Sequence, residues 1–370
     1  MPRFPAPRIA RPPGWSGARK KLLAWFDAHR RTLPWRNDRD PYRIWVSEVM
    51  LQQTTVAAVI PFFERFLRAF PTVQALAKAD DQAVLKQWEG LGYYRRAKHL
   101  HAAAKIVAAE HGGVLAGDPA IWKALPGVGR YILGAVLSQA FGLPFPIVEA
   151  NTLRVLARVF GYQGNPRAGA GKRWVWAAAE AALPAERIGD FNQAMMELGA
   201  LVCTPAAPKC DSCPLKRACA ANRLGIQSRI PPKVKPPSSI AVKEVAVAIR
   251  NAKGLVLVGR RPAGARWAGM WEIPHGEFAT GELPADAAGR VAHQAVGLRV
   301  KVGSEFARVT HVITRYVISV VGYEARAERG RPAAGFFDDL RWIEPNRLSE
   351  LPASTPQRKL FASLCRTKRE

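Results

Sequence analysis

The sequence LPGVGRYILGAV, from Leu125 to Val136, places two glycines between two segments of helical pattern. Because glycine has no Cβ, Gly127 and Gly129 allow the backbone to turn tightly. Amide groups beside such a turn point outward at the start of the next helix, where a phosphate binds well. This helix-hairpin-helix pattern is typical of proteins that hold a nucleic-acid backbone without reading its sequence. We expect both glycines and Arg130 to contact DNA; the alternative is an ordinary turn between helices.

The composition agrees with a polyanionic partner. The 370 residues include 55 Lys and Arg but only 29 Asp and Glu, a net charge of +26. Such an excess favours nucleic acid as the partner, although a basic protein without one is the alternative. No apolar run reaches membrane-spanning length, so we expect no membrane contact. The proline-rich start lacks the apolar region of a secretory signal, and residues 1–17 are predicted to be a disordered basic tail.

The rest of the chain divides into two parts with different patterns. Residues 18–228 show helical periodicity and are predicted to form an all-α domain, with a helix break at Pro61. Residues 229–239, RIPPKVKPPSS, contain four prolines and are interpreted as a linker. Residues 240–370 combine strand-like runs with one helical stretch, which predicts a smaller α+β domain.

Four of the five cysteines lie within one stretch, residues 203–219, separated by six, two and five residues. Four thiolates this close can hold one [4Fe–4S] cluster or one zinc ion. Zinc sites usually use two C-x-x-C pairs, and only one is present here. A secreted disulfide scaffold would spread its cysteines through a small chain, so the pattern indicates a reducing compartment. The predicted ligands are Cys203, Cys210, Cys213 and Cys219; chance clustering is the alternative.

The hairpin and the cysteine spacing together resemble the endonuclease III superfamily of base-excision DNA glycosylases. Four further stretches resemble its MutY branch, the adenine DNA glycosylases: LPWR (33–36), WVSEVMLQQT (45–54), GLGYYRRA (90–97) and FNQAMMELGALVCT (191–204). That branch also carries a C-terminal Nudix-like domain, and the resemblance extends from about Ala18 to the end. It implies a monomeric, cytoplasmic enzyme, associated with the nucleoid in a bacterium, that has a [4Fe–4S] cluster. Its implied substrate is double-stranded DNA with adenine opposite 8-oxoguanine or guanine.

Removal of adenine requires that the base be flipped out of the duplex, and bond cleavage leaves an oxocarbenium-like sugar. Such chemistry typically uses two carboxylates. Glu48 is the candidate acid, because its helix is largely apolar and burial would raise its pKa. The resemblance implies that Glu48 protonates adenine N7 and that Gln52 and Gln53 fill the emptied stack. A salt-bridged helix glutamate is the alternative for Glu48.

The second carboxylate departs from the family pattern. The family has an aspartate before Gly-Asn, whereas this chain has Glu149, Ala150 and Asn151. Glu149 keeps the charge but is one methylene longer, and catalysis is sensitive to such placement. We expect Glu149, with Asn151 beside it, to stabilise the sugar cation. A catalytically impaired DNA-damage-binding protein of the same fold is the alternative.

Other positions carry further expectations from the resemblance. Tyr131 lies where strand-cutting relatives have a lysine that forms a Schiff base, which a phenol cannot do. Hydrolysis to an abasic site without strand cleavage is therefore expected, and an endonuclease III-like pyrimidine glycosylase and lyase is the rival. Tyr93 matches an aromatic wedge beside 8-oxoguanine. Trp35, Arg36 and Gln193 match positions that line the adenine pocket.

The stretch GEFATGELPADAAGRVAHQAVGL, residues 276–298, keeps the frame of the Nudix signature. Val291, Gln294 and Ala295 replace its metal-binding glutamates, so we expect no pyrophosphate hydrolysis, an active Nudix hydrolase being the alternative. The domain is instead expected to read the lesion strand. A Phe-Ser-His loop of the family corresponds here to residues 309–311, which assigns 8-oxoguanine recognition to Thr310 and His311. An ordinary strand end is the alternative.

Overall fold

The structure is a computed structural model that describes residues 9–234, 237–328 and 330–366. The chain forms two compact units: Met1–Ala77 with Ala102–Lys235, and Lys78–His101 with Pro236–Glu370. The predicted limits 18–228, 229–239 and 240–370 follow composition along the chain. They did not anticipate that a segment from the helical part would belong to the second unit. Lys78–His101 lies within the helical part of the sequence but packs with the second unit.

The described helices of the N-terminal two thirds run in chain order. They are α1 (Trp15–His29), α2 (Pro41–Leu51), α3 (Val56–Ala69), α4 (Val73–Lys78), α5 (Asp81–Trp88), α6 (Arg95–Glu110), α7 (Pro119–Ala124), α8 (Arg130–Phe141), α9 (Ala150–Phe160), α10 (Gly169–Ala182), α11 (Ile188–Leu201) and α12 (Ala220–Arg223). In the first unit, α1, α9, α10 and α11 share one apolar core that includes Phe26, Leu156, Val175 and Leu198. No helix in the described ranges combines the length and apolar character needed to cross a bilayer.

The first helix begins earlier than the predicted tail allowed. Trp15 starts α1, its side chain is 3% exposed, and its indole N–H donates to the Ala182 carbonyl oxygen over 3.0 Å. Burial of a large aromatic side chain stabilises this first turn. Residues 15–17 therefore belong to the helical fold and not to the tail. Residues 1–8 of the predicted tail lie outside the described residues.

The predicted helix break at Pro61 is wrong. Pro61 lies inside α3, and the chain between α2 and α3 is broken at residues 52–55 instead. A proline inside a helix removes one backbone hydrogen bond. Here Pro61 is on the exposed side of α3, while Val59, Phe63 and Phe66 are fully buried on the other side. Burial of that apolar face offsets the lost bond.

The second unit contains one mixed sheet and two further helices. The strands are β1 (Ile240–Arg250), β2 (Val256–Arg260), β3 (Trp271–Glu272), β4 (His275–Glu277), β5 (Val300–Ile313), β6 (Tyr316–Ala327) and β7 (Asp339–Ile343); the helices are α13 (Pro284–Val296) and α14 (Thr355–Arg366). The order is β3-β2-β1-β6-β5, with β4 also on β1 and β7 also on β2. β1 and β6 are parallel, and the other pairs are antiparallel.

The two faces of this sheet form separate cores. Successive side chains of a strand point to opposite faces. Val245, Val247 and Ile249 of β1 therefore pack with α13, while Ala246 and Ala248 pack with α14. The prediction of an all-α part followed by a smaller α+β part is confirmed by the order of helices and strands.

Candidate active site and DNA-contacting surface

The candidate acid Glu48 is buried between α2 and α8. α2 begins at an Asp40 side chain that accepts from the amide of Tyr42 over 2.7 Å. Glu48 is 3% exposed; the Tyr131 hydroxyl donates to its Oε2, and the Gln139 amide donates to its Oε1 over 2.9 Å. Burial raises the pKa of Glu48, and these hydrogen bonds only partly oppose the rise. The carboxyl group is thereby biased towards the protonated form that a proton donor requires.

Tyr131 is the second residue of α8, directly after the hairpin. Burial raises its pKa well above the ordinary value, and the neighbouring Glu48 adds to this effect. Its hydroxyl therefore stays protonated and acts as a hydrogen-bond donor. The structure thus brings together Glu48 and Tyr131, which are 83 residues apart in the chain.

Glu149 caps the N-terminus of α9. Its Oε2 accepts from the Asn151 amide and its Oε1 from the Thr152 amide, each over 2.8 Å, and Thr152 Oγ1 accepts from the Glu149 amide over 2.8 Å. This reciprocal pair is a capping box. Burial raises the pKa of Glu149, while the two helix amides lower it. The charge of Glu149 in turn raises the pKa of Glu48, so the two carboxyl groups interact electrostatically.

Asn151 is held in place by Arg154, which lies three residues later in the same helix, α9. Its Oδ1 accepts from Arg154 Nη2 over 2.9 Å, and the same guanidinium donates to the carbonyl oxygens of Gly199 and Cys203, each over 2.7 Å. A Cβ on Gly199 would lie 2.6 Å from the Asn151 Cβ. α9 and α11 can approach this closely only because residue 199 is a glycine.

One of the predicted base-pocket residues, Arg36, links Gln193 to a buried carboxylate, Glu197. Arg36 donates from Nε to Gln193 Oε1 over 2.8 Å and from Nη2 to Glu197 Oε2 over 3.0 Å. Burial alone would raise the pKa of Glu197, but the hydrogen bonds from Arg31 and Arg36 lower it to about 2. Trp35 is 5% exposed and packs edge-on against Phe63 with ring centroids 5.4 Å apart.

Sequence reasoning missed two of these functional side chains. Gln139 follows Tyr131 by about two helical turns, so helix spacing could have indicated that it shares the Glu48 neighbourhood. Glu197 lies in the stretch FNQAMMELGALVCT, four residues after Gln193, a spacing that places both on one face of α11. In both cases the signal is a polar residue at helical spacing from a predicted site residue.

The hairpin has the geometry that its sequence predicts. Gly127 has a φ of 77°, a conformation that glycine adopts readily, and Gly129 is the N-cap of α8 without a side-chain cap among the described residues. Arg130 does not extend freely into solvent. Its guanidinium stacks 4.0 Å from the centroid of Trp176 and forms an ion pair with Glu180.

Two of the expected DNA-contacting side chains lie on unusual backbone. Gln53, next to Gln52 at the end of α2, has a φ of 59°, and Tyr93 has a φ of 50°. Positive φ is uncommon outside glycine, and such strain is often found at functional positions. Tyr93 is 52% exposed, so its ring is available for a contact. It belongs to the second compact unit and the other two to the first.

The four predicted cysteine ligands lie in one loop and line one cavity, and all four are free thiols: Cys203, Cys210, Cys213 and Cys219. Burial raises the pKa of Cys213 to about 12, and the neighbouring thiols contribute to the rise. A cationic metal centre would reverse this by stabilising the thiolates. The donor set therefore fits an iron–sulfur cluster or zinc, although within the described ranges no three ligand side chains are placed as in a formed metal site.

In the second unit, the stretch expected to probe 8-oxoguanine lies in a paired strand rather than a loop. Val309, Thr310 and His311 pair with Val320, Ser319 and Ile318 in the β5–β6 hairpin. The Thr310 side chain is exposed. Both ring nitrogens of His311 are buried without a hydrogen-bond partner among the described residues. The β-hairpin register places neighbouring side chains on opposite faces, so only one of the two points outward.

The Nudix frame persists without its glutamates. Glu282 accepts from Arg290 through both carboxylate oxygens, over 2.7 and 2.6 Å, and Arg290 also donates to Gln294 over 3.0 Å. Val291, at a glutamate position of the signature, is 3% exposed and packs in the α13 core. Side-chain contacts therefore order the stretch between β4 and α13.

The fold, the hairpin and the paired carboxyl groups define a DNA glycosylase of the helix-hairpin-helix class with an appended Nudix-like domain. Residues 46–178 match the HhH-GPD superfamily of base excision DNA repair proteins, and residues 245–363 match the NUDIX domain. The adenine DNA glycosylase of Rattus norvegicus is 32% identical over 93% of this chain and 77% of its own length. This chain belongs to the adenine DNA glycosylase family.

Other comparisons agree with this assignment. The adenine DNA glycosylase of Homo sapiens is 42% identical over 57% of this chain, but the match spans only 40% of the human protein. Among solved structures, a thermostable thymine-DNA glycosylase is 29% identical and superposes with a TM-score of 0.51 over 57% of this chain and 97% of its own. The likeness to the thymine-DNA glycosylase structure supports the helical fold and DNA as the partner.

Proposed function

We propose that this protein removes adenine mispaired with 8-oxoguanine or guanine from double-stranded DNA, by hydrolysis to an abasic site. The observation that carries the proposal is Glu48, a buried carboxyl group biased towards its neutral form and held by Tyr131 and Gln139. A positioned acid of this kind typically contributes a factor of about 10² to 10⁴ to the rate of a proton transfer step.

The roles of the individual residues follow from their chemistry. Glu48 gives a proton to the leaving adenine, and the Tyr131 and Gln139 donors then stabilise the resulting carboxylate. Glu149 faces the developing positive charge on the sugar, with Asn151 beside it, before water adds. Trp35, Arg36 and Gln193 orient the flipped base. Since Tyr131 cannot form a Schiff base, the strand stays intact.

The DNA contacts are assigned to both units. Gly127 and Gly129 present amides to a backbone phosphate, with Arg130 adding charge. Gln52 and Gln53 occupy the space that the flipped base leaves. In the second unit, Tyr93 and Thr310 are proposed to contact the lesion strand. For His311, a contact through the ring nitrogens requires that the side chain rotate, since both are buried.

The same proposal includes a [4Fe–4S] cluster held by Cys203, Cys210, Cys213 and Cys219. Arg158, which is 2% exposed, supports this loop by donating to Cys203 Sγ over 3.3 Å and to the Thr204 carbonyl oxygen over 2.7 Å. The bound cluster supplies iron–thiolate bonds that crosslink the loop. The active species is proposed to be a monomer in the cytoplasm, where thiols stay reduced.

A second candidate has one observation in its favour. Both oxygens of Glu149 already accept hydrogen bonds from α9 amides, which reduces the charge available to the sugar. With that carboxylate weakened, the protein would bind the lesion without releasing adenine. The two candidates share the fold, the hairpin and the cysteine loop, so they differ only in the chemical step.

The deciding experiment is single-turnover adenine release from a duplex with one A·8-oxoG pair, with A·G and A·T duplexes for comparison and alkali to reveal abasic sites. The glycosylase predicts rapid release that produces strand breaks only after alkali. The Glu48→Gln variant should lose release while still binding the duplex. Tight lesion-specific binding by the unmodified chain without any release would favour the binding protein.

A further inference from the structure

A partly buried carboxylate outside the active site holds two parts of the second unit together. Glu89 follows α5, and its side chain is 14% exposed. Its Oε1 accepts from Arg358 Nε over 2.8 Å and from the Ala353 amide over 3.1 Å, and Arg358 Nη2 also contacts it. Its Oε2 accepts from Lys86 Nζ over 2.7 Å. One carboxylate thus joins the segment Lys78–His101 to the start of α14.

The partners of Glu89 are themselves fixed. Arg358 Nη1 donates to the Leu348 carbonyl oxygen over 3.1 Å, and Nη2 contacts the Leu351 carbonyl oxygen. Lys86 Nζ donates to the Ser349 carbonyl oxygen over 2.5 Å. The backbone of residues 348–353 is therefore gathered around Glu89. Charge-assisted hydrogen bonds of this kind are stronger than neutral ones.

A second attachment lies at the other end of α5. Gln82 Oε1 accepts from the Trp271 indole over 2.7 Å, and Gln82 Nε2 donates to the Gly269 carbonyl oxygen over 3.0 Å. The Trp271 side chain is 2% exposed. α5 is thus held at both ends by polar contacts to the Nudix-like sheet and its flanking helix. Lys78–His101 consequently packs as part of that unit.

Tyr93 lies four residues after Glu89, at the turn before α6. We propose that Glu89 is a positioning residue that fixes this turn to residues 348–353 and the start of α14, so that Tyr93 and the Nudix-like domain contact the lesion strand as one body. Selectivity for 8-oxoguanine over guanine opposite the adenine then depends on Glu89, although Glu89 touches neither base. This inference rests on the proposed function, because the proposed role of Tyr93 comes from it.

The first test uses hydrogen exchange on the full chain. Glu89→Gln and Arg358→Met are compared with Glu350→Gln, which breaks an exposed ion pair with Arg347 in the same unit. Both anchor variants should raise exchange across residues 89–97 by about tenfold, since removing one partner leaves the other, partly buried charge without its ion pair. The control should leave it unchanged. Unaltered exchange across these residues in both anchor variants would overturn the anchor.

The second test measures selectivity. In both anchor variants the ratio of release rates for A·8-oxoG and A·G duplexes should fall by about fivefold to tenfold. Interaction free energies between coupled residues are commonly large enough for such a change. The A·G rate should be retained. An unchanged ratio in variants with a loosened turn would overturn the role in selectivity. An unmodified chain that releases no adenine would instead contradict the proposed function, while the exchange experiment still decides whether Glu89 anchors the turn.

Discussion

The side-chain amide of Gln139 donates to Oε1 of Glu48 over 2.9 Å, in a fully buried contact. An N–H donor stabilises the carboxylate form and so lowers the pKa of Glu48, whereas burial raises it by a larger amount. The acid is therefore set by two opposing effects. Burial favours its protonated form before the reaction, and the Tyr131 and Gln139 donors stabilise its carboxylate afterwards.

Replacing Gln139 should shift the pH dependence of adenine release. In the proposed mechanism the rate depends on protonated Glu48, so the rate is expected to fall as pH rises through the pKa of that group. Gln139→Leu removes a donor to the carboxylate, which raises the pKa of Glu48 and moves the alkaline limb to higher pH. The plateau rate should fall about tenfold, because a hydrogen bond to a charged group is worth ~1.5–3 kcal/mol. The exposed Gln163→Leu serves as control; a limb that stays in place would contradict the assignment.

Glu149 should respond differently to a change of charge and a change of length. Glu149→Gln removes the charge that is proposed to face the sugar and should slow release by about 10²-fold or more, as loss of an electrostatic stabiliser commonly does. It also weakens the α9 cap, at a cost of about 1 kcal/mol. Glu149→Asp keeps the charge and should retain activity. The measurement is single-turnover release together with thermal unfolding of each variant; a Gln variant with the original rate would exclude Glu149 from the chemistry.

The ion pair of Arg130 with Glu180 should weaken DNA binding, because Glu180 competes with a DNA phosphate for the Arg130 guanidinium. Both side chains are about half exposed, so the pair is worth at most about 1 kcal/mol. Glu180→Gln should therefore tighten binding to an undamaged duplex by about twofold to fivefold. Arg130→Gln should weaken it and reduce the salt slope by about one. Glu186→Gln removes the same charge from another exposed site; an equal gain there would mean that only net charge matters.

Gly199→Ala should destabilise the first unit. The new Cβ would lie 2.6 Å from the Asn151 Cβ and 3.1 Å from its Cα, so α9 and α11 must separate. Overpacking of this kind costs about 1–3 kcal/mol. Gly17→Ala is the matched control, because Gly17 lies in α1 with open space around its Cβ position. That substitution should stabilise by about 0.5–1 kcal/mol. Denaturant unfolding compares the two, and similar effects in both would contradict the close approach.

His275 should make the stability of the second unit depend on pH. Its Nδ1 lies 2.9 Å from Glu244 Oε2 and its Nε2 3.3 Å from Glu272 Oε2. Burial alone would lower the pKa of His275, but the two carboxylates raise it to about 10. Its contribution is therefore complete below its unfolded pKa of about 6.5 and is lost as pH rises towards about 10.

Urea unfolding across this range checks the prediction. The unmodified chain should lose stability with rising pH, and His275→Gln should be less stable at the acid end and show a flatter dependence. His293→Gln changes an exposed histidine of α13 and should preserve the slope. A slope that persists in the His275 variant would assign the dependence to another group.

The local features of this fold could be read from the sequence. Gly127 and Gly129 indicated the hairpin, because few other residues adopt such a turn. The four cysteines indicated one shared loop by their spacing alone. The α+β character of residues 240–370 followed from strand patterns and the helical stretch of α13. Each of these depends on residues that are close in the chain.

Features that depend on distant residues were not predictable in the same way. Nothing in the local pattern shows that Lys78–His101 packs with the second unit, because Glu89 meets Arg358 only in three dimensions. Pro61 predicts a helix break from the sequence, because the burial of the opposite face of α3 that offsets it is a tertiary effect. Gln139 and Glu197 were missed because a polar residue in a buried helix is recognised only by its partners.

The two carboxylate oxygens of Glu149 have two roles. They accept hydrogen bonds from the first turn of α9, and they are also proposed to face the sugar. Evolutionary change at this position is therefore constrained by folding as well as by turnover. A variant library scored for soluble expression and one scored for repair would both mark Glu149 as sensitive, for different physical reasons. Only the shorter aspartate is expected to pass both screens.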